Sequence, residues 1–181
     1  MRATIGLILI QCRSRAFQPR LIRKRGKIGL MAMLICWTCS FCSSIAGTQL
    51  PEGFTESVYV HGGLNAPVSM DFSPDGRLFV CEKGGFGPDS RSRGEAAVRV
   101  VKNGVLLGDA FFTLTVLNVW EAGLMGIAFD PNFSENRYVY LSHSTAKDDQ
   151  FLNRVIRLTA SAQNPDKADP DSLVMIVDGV P

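Results

Sequence analysis

From Phe54 onward, apolar residues alternate with polar ones in short runs closed by Gly, Pro, Asn or Asp, and no helical period is sustained. Phe54–Val60 (FTESVYV) alternates and stops at His61-Gly62-Gly63. Val68–Phe72 runs into Ser73-Pro74-Asp75-Gly76, where proline sets φ at one position and glycine admits positive φ at another, and Leu78-Phe79-Val80-Cys81 returns as a strand. Lys83–Gly94 (KGGFGPDSRSRG) is polar and glycine-rich, hence a loop. Val98–Val101 and Val105–Leu107 flank Lys102-Asn103-Gly104, and Asn-Gly suits a type I′ hairpin. Ala110–Val119 is a further apolar run, Leu152–Thr159 and Leu173–Val177 are further strands, and Ala160–Asp171 between them is polar. The stretch EAGLMGIAFDPNFSENRYVYLS, Glu121–Ser142, predicts two antiparallel strands joined at Asp130-Pro131-Asn132. The pattern is that of an all-β chain.

It also repeats. Met70-Asp71-Phe72-Ser73-Pro74-Asp75-Gly76-Arg77-Leu78-Phe79-Val80 is matched by Ile127-Ala128-Phe129-Asp130-Pro131-Asn132, a short insertion, then Arg137-Tyr138-Val139-Tyr140. Both copies read apolar-x-Phe-(Ser/Asp)-Pro-(Asp/Asn), a turn, then Arg and an alternating strand; Phe129 lies 57 residues after Phe72. Units of that length suggest four-stranded blades of a β-propeller. The alternative is two unrelated hairpins that share common turn chemistry.

Charge divides the chain of 181 residues in two. Residues 1–30 hold eight of the 19 Lys and Arg and no acid, leaving 11 bases against 17 acids, a net of −6, in the remainder. That remainder has no basic stripe, which argues against nucleic acid. Arg23-Lys24-Arg25-Gly26-Lys27 precedes an apolar run from Ile28 to Cys42, then Ser43-Ser44-Ile45-Ala46-Gly47. The order basic, apolar, small is that of a secretory signal over residues 1–46, cleaved after Ala46. An uncleaved anchor over Ile28–Ala46 is the alternative, since nineteen residues approach the ~20 needed to cross a bilayer. Either way, residues 47–181 are expected to be exported, to the periplasm or outside the cell, and a membrane enters only if the anchor stays.

Cys36-x-x-Cys39-x-x-Cys42 imitates part of an iron–sulfur spacing, but in so apolar a run cysteine behaves as a small hydrophobe. Cys81 alone follows the leader, so no internal disulfide framework is available there.

Leu64-Asn65-Ala66-Pro67, continued by Met70 to Glu82 (MDFSPDGRLFVCE), and above all Glu121 to Phe133 (EAGLMGIAFDPNF), resemble the opening blade motifs of the soluble glucose/sorbosone dehydrogenases, quinoprotein sugar dehydrogenases. The resemblance covers about Leu50–Pro181. It implies a six-bladed β-propeller, of which this chain would hold about the first two blades. It further implies pyrroloquinoline quinone (PQQ) near the axis, Ca²⁺ to bind and polarise it, a sugar as substrate, and a histidine that takes the proton as hydride leaves the anomeric carbon. The family places a Gln or Glu near the cofactor at the position of Glu121, so the resemblance makes Glu121 the cofactor-binding candidate; a solvated acid at a strand start is the alternative. The family's catalytic histidine follows a Gly-x-Pro step like Gly179-Val180-Pro181, so the resemblance puts it beyond Pro181 and leaves this chain without a catalytic or metal residue of its own.

The remaining polar residues suggest less. His61 adjoins a glycine turn, and His143 reads as a surface histidine at a strand end. Lys147, Asp148 and Asp149 read as a solvated loop. Ser142–Ser144 lacks the Gly-x-Ser-x-Gly elbow of a serine hydrolase. Asp130, Asp166, Asp169 and Asp171 form no EF-hand loop, so turn formation is their simpler role. A second functional class therefore stays open beside the dehydrogenase: a secreted, non-enzymatic propeller module that binds a partner or a carbohydrate.

Overall fold

The structure is a computed structural model and describes residues 5–10, 50–86, 92–147 and 150–180. The expected signal or anchor segment, residues 28–46, lies outside the described residues, as do Cys36, Cys39, Cys42, Asp148 and Asp149. No helix among the described residues is long and apolar enough to cross a membrane.

Among the described residues there are ten strands: β1 (Ile5–Ile10), β2 (Phe54–Val60), β3 (Pro67–Phe72), β4 (Leu78–Glu82), β5 (Arg93–Lys102), β6 (Val105–Leu117), β7 (Leu124–Phe129), β8 (Tyr138–Lys147), β9 (Gln150–Thr159) and β10 (Val174–Val180). β1 and β2 pair with each other. Strands β3-β4-β5-β6 form one antiparallel sheet and β7-β8-β9-β10 a second, each in simple chain order. Two successive up-and-down meanders of four strands are what the sequence repeat predicts for blades.

The two sheets share a core. β4 is buried along its whole length, which is why its sequence reads as a continuous apolar run rather than an alternation. Phe79 and Cys81 point into the principal cluster with Val98, Val100, Leu141 and Ile156, while Leu78 and Val80 point the other way, onto Val60, Leu64 and Val101. Phe79 meets Phe111 of its own sheet edge to face at 5.1 Å and Phe129 of the next sheet at 4.9 Å. Truncating such a fully buried aromatic costs about 3–5 kcal/mol.

Turn chemistry behaves as expected at three places. Gly76 (φ 85°) closes the β3–β4 turn by donating to the Ser73 carbonyl at 2.9 Å. Asn103 (φ 53°) and Gly104 (φ 77°) make the left-handed pair of the β5–β6 hairpin. At Asp130 the carboxylate accepts from the Asn132 amide (2.9 Å), the Asn136 side chain (2.8 Å) and the Tyr140 hydroxyl (2.8 Å). That triple acceptance folds Phe133–Asn136 into a single helical turn (α1), which drops Phe133 onto Phe129 at 4.9 Å.

Two expectations are corrected. Val105–Leu107 and Ala110–Val119 are not separate runs: one strand, β6, spans Gly108 and Asp109 through a register shift, and the Arg99 guanidinium donates to the Leu107 and Gly108 carbonyls there. His143 is not a surface residue at a strand end. It lies within β8 and is 6% exposed, because β8 runs on to Lys147.

Candidate ligand cavity at the turn between the sheets

The chain passes from β6 to β7 through residues 118–123, and this turn is held from three sides. Asn118 donates through its amide to the Gly84 carbonyl at 3.1 Å and through its backbone to the Ser92 carbonyl at 3.0 Å. Ala122 donates to the Val119 carbonyl at 2.7 Å. On the far side, Gly123 accepts from the Ser144 amide at 2.8 Å, and Leu124 donates to the Lys83 carbonyl at 3.2 Å.

Lys83 is the centre of this arrangement. It is 3% exposed, its amide donates to the Ala66 carbonyl at 3.1 Å, and its ammonium donates to the Trp120 carbonyl and lies 4.3 Å from the centroid of the Phe86 ring. Its stem passes so close to Gly123 (φ 146°) that a Cβ there would stand 2.6 Å from both Lys83 Cγ and the Lys83 carbonyl oxygen. Trp120 takes φ 46°, a left-handed conformation unusual for a bulky side chain, at a cost of about 1–3 kcal/mol. Its indole is left 84% exposed.

Beside this turn is a cavity of about 340 Å³, at the lower end of ligand pockets. Leu117, Val119 and Met125 give it an apolar floor; Trp120 and Phe151 are its aromatic walls. Its polar groups are Glu121, Ser144 and Asn153, with the Ser144 hydroxyl donating to Asn153 Oδ1 at 3.0 Å. Glu121 is therefore an exposed residue of the turn that lines the cavity.

The other candidates lie elsewhere. His61 is exposed beside its glycines. His143 is outside the cavity lining; burial pushes its pKa down, the Ser144 carbonyl opposes that, and Arg154 reinforces it. Asp130 organises its turn, with its pKa lowered chiefly by the Asn136 side chain. Asp169 caps the 3₁₀ turn Pro170–Ser172, accepting from the Asp171 amide at 3.1 Å. Asp166 pairs with Arg77 at 2.8 Å and Lys102 at 3.6 Å. Among the described residues there is no cluster of three or more His, Cys, Asp or Glu placed to hold a metal. Lys83 and Trp120 were not evident from pattern: one sits in a segment that reads as loop, the other just past an apolar run. Their only signal is that a lysine directly follows the strand Leu78–Glu82 and that a tryptophan directly precedes Glu121.

Comparison with known proteins decides the family. The profile of the glucose/sorbosone dehydrogenases matches residues 64–176, well over half of the chain. The chain belongs to that family. Over 126 residues it is 32% identical to the mouse (Mus musculus) Hedgehog-interacting protein, a match that covers 61% of this chain and 16% of that protein. It is similar to an oxidoreductase (glucose dehydrogenase) from Thermus thermophilus, with 28% identity and a TM-score of 0.50 over 66% of this chain and 31% of that one. The apo form of the soluble aldose sugar dehydrogenase from Escherichia coli shares the fold, with 21% identity and a TM-score of 0.51 over 64% of this chain and 30% of that one. The family member described here thus spans less than a third of the proteins it matches.

Proposed function

We propose that this chain forms about the first two blades of a six-bladed sugar-dehydrogenase-type propeller, and that the cavity at the β6–β7 turn is part of its sugar-binding wall. The family reaction is the oxidation of an aldose with hydride passed to PQQ. The observation that carries the reading is the position of Glu121: residues 121–133, by resemblance the most specific family motif, open on a carboxylate that lines the cavity.

PQQ is the cofactor by resemblance, and it is a tricarboxylate. Among the residues lining the cavity there is one carboxylate, Glu121, and no Lys or Arg. Like charges at contact distance repel, so this wall by itself does not fit the quinone. It does fit a sugar, whose hydroxyls can donate to Glu121 and exchange hydrogen bonds with Ser144 and Asn153. Neither histidine lines the cavity, so the wall positions a substrate and supplies no histidine to take its proton. Calcium likewise has no ligand cluster among the described residues and enters only by resemblance.

Calorimetric titration of the full chain with D-glucose, run beside dye-linked oxidation with added PQQ and Ca²⁺, tests the proposal. Saturable aldose binding without dye reduction is expected. A flat titration, or robust turnover by this chain, overturns it.

A second reading is a non-enzymatic binding module for a protein partner, supported by the 32% identity to a protein whose name describes an interaction with Hedgehog. The aldose titration separates the two, because a module for a protein partner leaves it flat. Export is proposed on the leader alone: N-terminal sequencing of secreted protein should start at Gly47, and retention of residues 28–46 would indicate the anchor instead.

A further inference from the structure

We propose that the Trp120 indole is a stacking platform for the pyranose ring of a neutral sugar at the mouth of this cavity, with Lys83 as the residue that positions it. The proposal rests on the sugar-binding reading above and adds the ring contact and the charge class of the ligand.

The fold does not explain a tryptophan here. At φ 46° a glycine or asparagine is the comfortable residue, and the indole, 84% exposed, contributes almost nothing to the core. It nevertheless stands in a cavity wall with Phe151, itself 53% exposed, and Met125, 37% exposed. Apolar surface gathered at one cavity mouth, rather than scattered, marks a contact site.

The strained backbone is also fixed in place. Lys83 directly follows β4 of the first sheet, is buried to 3% exposure, and directs its ammonium at the Trp120 carbonyl. Gly123 leaves room for its stem, since a Cβ at that position would collide with it. A strained conformation that its surroundings over-determine is the usual mark of a functional position.

Charge then narrows the ligand. A pyranose has an apolar face of C–H groups and a rim of hydroxyls; the indole face is apolar and electron-rich, and Glu121, Ser144 and Asn153 supply rim partners. One carboxylate and no lining cation favour a neutral ring over an acidic one such as a uronate.

The full chain has two tryptophans, Trp37 and Trp120, so a Trp37→Phe background makes emission report on Trp120 alone. Titration with D-glucose should shift that emission saturably, and D-glucuronate should bind about tenfold or more weakly, the effect of a single unfavourable charge contact. Trp120→Gly should raise the melting midpoint by a few degrees as strain is released, while calorimetry shows glucose affinity falling about tenfold or more. Lys83→Met should weaken affinity and change the emission of Trp120 in the sugar-free protein. Glucose binding that is undiminished in Trp120→Gly overturns the platform and leaves the sugar reading standing. A Trp120→Gly variant that loses both midpoint and affinity shows a structural role and also overturns it. Tighter binding of glucuronate than of glucose overturns the neutral class, and absence of sugar binding in the parent protein removes the reading on which all of this rests.

Discussion

The Arg77 guanidinium, only 6% exposed, spans the two sheets: it donates to Asp166 at 2.8 Å, beyond the end of β9, while it grips Asp75 of its own turn at 2.6 Å. It also donates to the Pro165 carbonyl at 2.5 Å and sits 5.2 Å from the centroid of the Phe79 ring. The turn that the sequence repeat makes recognisable is thus a fastening point between blades.

Removing the guanidinium leaves the Pro165 carbonyl without its donor and Asp166 with Lys102 at 3.6 Å in place of the close Arg77 contact. Arg77→Met should destabilise the protein by about 2 kcal/mol, less than for a fully buried pair because Asp75 and Asp166 are partly exposed. Arg77→Lys should recover less than half, since an ammonium cannot make the forked contacts of a guanidinium. Urea melts of the three proteins measure this, and equal midpoints would contradict it.

The same contact sets a pH dependence. The Arg77 hydrogen bond, against opposing desolvation, holds Asp75 down from the ordinary 3.8 to about 2. Its folded value lies below its unfolded one, so its contribution is complete above about 3.8 and is lost as pH falls through about 2. Half of the Asp75 side chain is exposed, and screening keeps the contribution under ~1 kcal/mol. Melts of the parent and Asp75→Asn should therefore differ near neutral pH and converge as pH falls into that window.

Gly123→Ala tests the packing of the inter-sheet turn. The added methyl would meet Lys83 Cγ and, less forgivingly, the Lys83 carbonyl oxygen, both at 2.6 Å, and φ 146° is itself poor for alanine. A loss of about 2–3 kcal/mol is expected from overpacking and backbone strain together. By contrast Gly53→Ala, at φ 89° with open space around it, should show only the backbone part, about 1 kcal/mol. Parallel thermal melts of the two variants distinguish steric from conformational cost.

Much of this was legible in the chain because turns and alternation are local. Phe54–Val60 and the turns at Gly76 and Asn103-Gly104 follow directly from residue pattern. So does the equivalence of Phe72 and Phe129, each at the end of the first strand of its sheet. What pattern cannot express is which face the next sheet covers. Phe129 packs on Phe79, whereas Phe72 stays 44% exposed with Tyr59 at 6.2 Å. Likewise Arg77 is buried between partners, while Arg137 at the matching position lies outside the core at φ 59°. Lys83 and Asp166 owe their roles to neighbours 37 and 89 residues away, contacts that no local motif encodes.

His143 carries a second pH dependence. Desolvation lowers its pKa, and Arg154, its cross-strand neighbour, acts the same way. The folded value is below the unfolded one, so stability is full above the ordinary value of 6.5 and declines as pH falls through the depressed folded value. His143→Gln should flatten the stability profile on the acid side of 6.5, measured by urea melts across that range; an unchanged slope would place the titrating group elsewhere.

Cys81 gives the last prediction, and it reports on the core as a whole. The thiol is fully buried on the face of β4 that meets the second sheet, and desolvation pushes its pKa up to about 12. Only the thiolate reacts at a useful rate, so both ionisation and access are denied in the folded protein. Iodoacetamide at neutral pH, followed by peptide mapping, should leave Cys81 unmodified under native conditions and label it fully in urea. Rapid native labelling would mean that the two sheets separate readily. If they hold together, the logarithm of the Cys81 labelling rate in Arg77→Met should rise in proportion to the lost stability, since the population of the open form then governs modification.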